Sequence, residues 1–152
     1  MTSILKVDSI LSDTTPTVTI SDGLSVTGIM TAVTDIASDS DGNTKIGTSA
    51  LNSLTSGQGT NNTGLGKDAL TACTTGDNNT AVGLNALDAN TTGSQNTAMG
   101  SHALSAAVTT DNNTAFGYYA AYATTGTANA AFGRSCMLNN SSGAENTAVG
   151  DA

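Results

Sequence analysis

The chain has 152 residues and a mass of 14.9 kDa, the size of one ordinary domain. Thr, Gly, Ser and Asn make up about half of it, and Leu, Ile, Val and Phe fall below the roughly 20% with which chains usually build a large apolar core; a compact monomeric enzyme is therefore not expected. Lys6, Lys45, Lys67 and Arg134 are the only bases and the net charge is −8, so the chain lacks the cations that bind a phosphate backbone or an anionic lipid surface.

The N-terminus has Asp8 within its first apolar run and no basic stretch ahead of it, unlike a signal peptide. No window approaches the ~18 consecutive apolar residues of a membrane helix, and no membrane insertion is expected. Residues 4–11 read as a strand, Thr15-Pro16 as a turn and 17–20 as a second strand. A further turn at 21–23 precedes the β-like run 24–28. Residues 29–41 read as a strand or a bridge. Residues 1–42 together form a small β-rich segment that suits attachment better than catalysis.

From Asn43 onward a repeat organises the sequence. Units start at Asn43, Asn62, Asn79, Asn96, Asn113, Asn129 and Asn146. Most are 17 residues long; the unit at Asn43 is two longer and the one at Asn113 is one shorter. The template is Asn-Thr-Ala-φ-Gly-x-x-Ala-Leu-x-x-x-Thr-Thr-Gly-x-x, with φ apolar. The φ column reads Ile46, Leu65, Val82, Met99, Phe116, Phe132 and Val149. The glycine column is unbroken: Gly47, Gly66, Gly83, Gly100, Gly117, Gly133 and Gly150. Disorder needs no such registration, so residues 43–152 are expected to fold.

Each column has a physical reading. Thr-Ala-φ is a short strand, with Thr and φ on the face opposite Ala. The glycine that follows suits a left-handed step or the close approach of another chain. The x-x-Ala-Leu-x-x-x run reads as one helical turn or a second short strand. Thr-Thr-Gly-x-x is turn chemistry, bending at Gly76, Gly93, Gly126 and Gly143. The Asn column reads as a side-chain ladder or a turn cap. Asn85 and Ser101 occupy variable positions and are expected to tolerate substitution. The fold class is thus mainly β: a repetitive β-fibre, β-helix- or β-roll-like, with a coil of about 17 residues.

Each coil offers about two substantial apolar side chains, such as Val82 and Leu87. Burying each is worth roughly 1.5–3 kcal/mol, against about 1–2 kcal/mol per residue of backbone ordering. Several chains around one axis would let the φ residues meet their symmetry mates in apolar layers. This argues for a homotrimer.

The repeat resembles those of bacteriophage tail-fibre and related virion fibre proteins, and residues 3–10 look like the start of tail-fibre chains of marine phages. The resemblance spans nearly the whole chain. It implies a homotrimeric virion fibre: residues 1–42 joining a tail or baseplate adaptor protein, residues 43–152 forming the shaft, and the host cell surface met only indirectly or through a distal tip. Such fibres often continue into a receptor-binding tip or a self-cleaving assembly domain. Here the sequence stops seven residues into its last unit, as either a fibre end or a piece of a longer chain would. More distantly, the repeat is similar to the heads of trimeric bacterial adhesins, and a surface adhesin is the alternative. Ice-binding and polysaccharide-degrading repeat proteins stand further back.

No catalytic set or cofactor site emerges. His102 occupies a spacer position, and Asp77, Asp88, Asp111 and Glu145 fall at turn or spacer positions. Asp39, Asp41 and Asn43 have the alternating oxygens of a calcium loop but lack its later glutamate, so a junction turn is the plainer reading. Cys73 and Cys136 read as buried small hydrophobes. Tyr118, Tyr119 and Tyr122, with Phe116 and Phe132, are the only aromatic cluster, read as a thicker portion of the fibre.

Overall fold

The structure, a computed structural model, describes residues 37–152; the strands expected at 4–11 and 17–20, the run 24–28 and the resemblance at 3–10 lie outside them. Eight short strands follow in order: β1 (Ala37–Ser38), β2 (Thr44–Ile46), β3 (Thr63–Leu65), β4 (Thr80–Val82), β5 (Thr97–Met99), β6 (Thr114–Phe116), β7 (Ala130–Phe132) and β8 (Thr147–Val149). They form one sheet in sequence order. β2 to β8 are parallel and in register, so Thr80 lies on Thr97, Ala81 on Ala98 and Val82 on Met99. Each of β2 to β8 begins one coil of a β-solenoid of about six turns.

The repeat dictates the interior. At strand centres the Ala column points inward, and Ala81, Ala98, Ala115 and Ala131 are fully buried. Leu70, Leu87 and Leu104 fill the opposite side and are equally buried. Cys73 and Cys136 join this core as free thiols, and burial pushes the Cys73 thiol up. The interior is therefore thin, as the composition requires, and the φ side chains take no part in it.

Asparagine completes the interior as a ladder. The Asn79 side-chain oxygen accepts the Asn96 N–H at 3.0 Å, while the Asn79 amide donates across the coil to the Gly93 carbonyl at 2.8 Å. The same pair of bonds recurs from coil to coil: Asn96 accepts from the Asn113 N–H at 3.0 Å and donates to the Thr110 carbonyl at 2.7 Å. Buried backbone groups must be paired. One amide per coil pairs two of them and sets the spacing of successive coils.

Glycine is required at the bend after each strand. Gly83 has φ +133°, and a Cβ there would lie 2.6 Å from the Gly100 carbonyl oxygen. The sequence allowed for close approach by another chain; the neighbour is the next coil of the same chain. The column is thus explained within one solenoid and does not itself call for a partner.

The run after the bend forms neither a helical turn nor a strand. Among the described residues there is no helix. Asn85 and Leu87 have φ of 53° and 52°, and the same two columns are left-handed in other coils, including Leu70 and Leu104. The Leu87 N–H donates to the Ala103 carbonyl of the next coil at 3.1 Å. Inter-coil bonding, not local propensity, holds leucine in a conformation that costs L-residues about 1 kcal/mol or more. Asn85 is therefore no free spacer, because asparagine accepts a left-handed φ better than alanine does.

At the N-terminal end β1 pairs antiparallel with β2, Ser38 opposite Thr44 and Ala37 opposite Lys45. The boundary drawn between 42 and 43 thus falls inside a hairpin. β1 covers one edge of the parallel sheet, where exposed ladder groups would otherwise recruit other strands.

Candidate interaction face

The outward face of the strands is the feature that the fold leaves unpartnered. Ile46, Leu65, Met99, Phe116 and Phe132 are each about 40% exposed and Val149 is 79% exposed. Val82 is half-buried. Because the strands are in register, these side chains stack into one stripe. Phe116 and Phe132 lie with ring centroids 5.4 Å apart and planes inclined by 14°. Six steps of about 4.8 Å make the stripe about 29 Å long. The Thr column runs beside it, half-buried along most of the stripe, and no charged side chain occupies either outward strand column. A continuous exposed apolar stripe makes this face the candidate interaction surface.

The wall beyond the glycine bend is chemically different. His102, expected to be a solvent-facing spacer, is half-buried and stacks on Tyr119, one coil away in the same column, at 4.7 Å and 19°. Tyr119 also meets Tyr118 edge-on at 4.5 Å and Tyr122 at 5.0 Å. Desolvation raises the Tyr119 phenol above its ordinary value, with further contributions from Tyr118 and Tyr122. The stack was visible in the sequence only as the 17-residue offset from His102 to Tyr119.

The carboxylates are mostly bound to backbone or hydroxyl donors. Asp77 accepts the Thr60 N–H at 2.7 Å and the Thr60 hydroxyl at 3.0 Å, and Asp111 accepts the Ser94 N–H at 2.7 Å. Asp88 accepts the Ser105 hydroxyl at 2.5 Å. Asp39, Asp41 and Asn43 do meet at one turn. There, Asp39 accepts from the Asp41 and Asn43 N–H groups at 3.0 and 2.9 Å, Asp41 accepts the Gly57 N–H at 2.7 Å, and the Asn43 oxygen faces the Asn62 N–H at 2.8 Å. These oxygens thus brace the β1–β2 hairpin. Desolvation pushes the Asp39 carboxyl up, but hydrogen bonds from Asn43 and Asp41 and the charge of Lys45 outweigh it and leave the group below its ordinary value. Among the described residues no three His, Cys, Asp or Glu side chains gather as a metal cluster, and no helix is long and apolar enough to cross a membrane.

Sequence reasoning missed one structural device. Asn90 clasps the second bend, its oxygen accepting the Gly93 N–H at 2.8 Å and its amide donating to the Gly93 carbonyl at 3.1 Å. Asn140 does the same at Gly143. Other residues hold this column in other coils: Cys73 points its thiol at the Gly76 carbonyl, whereas the buried Thr124 hydroxyl has no partner. The column therefore had no single-residue signature.

No protein-family model, curated protein or solved structure matches this chain.

Proposed function

We propose that this chain is a structural virion fibre of the phage tail-fibre kind, a homotrimer whose residues 43–152 form the shaft. The single observation that carries the reading is the exposed φ stripe. Removing the exposed two-fifths of each side chain from water is worth roughly 1 kcal/mol per level, and a three-fold arrangement places each level against two copies of itself. Residues 1–42 would join a tail or baseplate adaptor protein, and the shaft would hold a distal host-recognition element away from the particle during adsorption. The role is mechanical, without catalysis or cofactor.

Light scattering of the purified protein tests the assembly: a mass about three times 14.9 kDa is expected, and a stable monomer at micromolar concentration overturns the trimer. Mass spectrometry of purified particles, followed by deletion of residues 1–42, tests the role. The full chain is expected in the particle and the deleted one absent from it.

A further inference from the structure

We propose that the aromatic wall formed by His102, Tyr118, Tyr119 and Tyr122 is a binding platform for a neutral saccharide. The inference is independent of oligomeric state and concerns residues beyond the glycine bend from the apolar stripe.

All three tyrosines of the chain lie in this cluster. A structural need for bulk would be met by aliphatic residues, as it is at the equivalent position Leu84, one column from the stack. The rings instead form a linked surface: His102 parallel on Tyr119, Tyr118 edge-on to Tyr119, and Tyr122 inclined to it at 46°. Tyr118 is 51% exposed.

Three ligand classes that stack on aromatic faces are separated by the geometry. A quaternary ammonium needs rings arranged as walls around a void. Here the centroids are 4.5–5.0 Å apart, so the rings fill one another's space and no cage exists. A nucleic-acid strand stacks its bases on such rings but needs cations along its backbone. The net charge of −8 opposes it, Lys67 is paired with Asp68 at 2.8 Å, and Arg134 is paired with Asp151 at 3.1 Å. The same charge opposes uronic and sialic acids. A neutral pyranose meets both conditions. Its C–H face can lie flat on the exposed Tyr118 ring, and its hydroxyls can bond the tyrosine hydroxyls. Asp88 stands two coils from Tyr122 in the same column, about 10 Å away and within the span of a disaccharide; one of its oxygens holds the Ser105 hydroxyl between them, leaving the other for a sugar hydroxyl.

The chain contains no tryptophan, so tyrosine emission reports on this wall. The probes are hexasaccharides of β-linked glucose, β-linked N-acetylglucosamine, α-linked glucose and α-linked mannose, with hexagalacturonate as the charged counterpart. At least one neutral probe is expected to change the emission, with a dissociation constant on the order of 1 mM, and hexagalacturonate is expected to leave it unchanged. By calorimetry, Tyr118→Ser and Tyr119→Asn should each weaken that binding about tenfold. Asparagine is chosen at 119 because Asn85 shows that the column accepts it at positive φ; Tyr118 is exposed enough for its variant to remain folded. Silence with all four neutral probes overturns the proposal, as does equal binding of hexagalacturonate, or wild-type affinity in both variants.

Discussion

From the Asn column to the Leu column every coil has one length, whereas from the Leu column to the second bend the lengths differ. Asn79 to Leu87 spans eight positions, as do Asn43 to Leu51 and Asn113 to Ala121. By contrast, Leu51 to Gly59 spans eight positions, Leu87 to Gly93 six and Ala121 to Gly126 five. The longer and shorter units of the repeat differ from the rest only in this second run. The first run is tied at every step to the coils on either side: strand pairing, the glycine contact and the Asn ladder join equivalent residues, and the left-handed leucine bonds one position before its equivalent, Leu87 to Ala103. An added residue there would turn the φ side chain inward and break all four. The second run also bonds to the neighbouring coils, as where the Ala106 N–H donates to the Tyr122 carbonyl at 2.9 Å, but there coils of unequal length still stack. Sequence regularity therefore marks where the same contact must recur in every coil.

Substitutions can break this contrast. The largest effect is expected at Gly83. Gly83→Val places a Cβ against the Gly100 carbonyl and a β-branched residue at φ +133°, at a cost of about 3–5 kcal/mol per chain from strain and overpacking together. Asn85→Ala, two positions away, should cost about 1 kcal/mol for its left-handed backbone. Thermal melts of the two variants give the comparison; equal shifts would mean that the bend yields and that the contact is not a constraint.

Next in size is Asn96→Ala. It leaves the buried Asn113 N–H and Thr110 carbonyl without their partners, and the expected loss is about 2–4 kcal/mol in denaturant titrations. A loss below about 1 kcal/mol would show that water replaces the amide and that the ladder is dispensable.

A smaller effect is expected in the second run. Inserting Ser-Gly between Ala89 and Asn90 reproduces the length of the first coil and should cost about 1–2 kcal/mol, from loop closure and the loss of one of the flanking inter-coil bonds. Unfolding by this insertion would place the second run under the same constraint as the first.

The smallest concerns the hairpin at the N-terminal end. Asp39 is held below its ordinary value of 3.8 in the folded chain. Its contribution is therefore fully present above 3.8 and is lost as pH falls through the lower folded value. The Asn43 amide resonance should shift in that acidic window, and Asp39→Asn should remove the shift.

Much of this fold was legible because stacking turns inter-coil contacts into sequence columns. Thr80 to Val82 was read as a strand with Ala81 facing opposite to its neighbours, and it is one. The Asn column was read as a ladder or cap, and the asparagines from Asn43 to Asn129 do both. The run through Leu87 was misread because helix and strand are the conformations that local propensity offers leucine; its positive φ comes from the bond to Ala103 in the next coil. His102 and Tyr119 were judged separately, as a spacer and as part of a thicker segment. Their contact depends on equal side-chain direction in successive coils, which the left-handed column supplies.

The ladder of asparagines also shapes the response to pulling force. Each coil is bonded only to the coil before and the coil after it, so a rod under axial load has no shared core to rupture at once. An end coil peels first, and each release converts one step of about 4.8 Å into 17 residues of extended chain, a gain of about 50 Å. Tension applied along such a rod would be dissipated as a staircase of small yields rather than one catastrophic break.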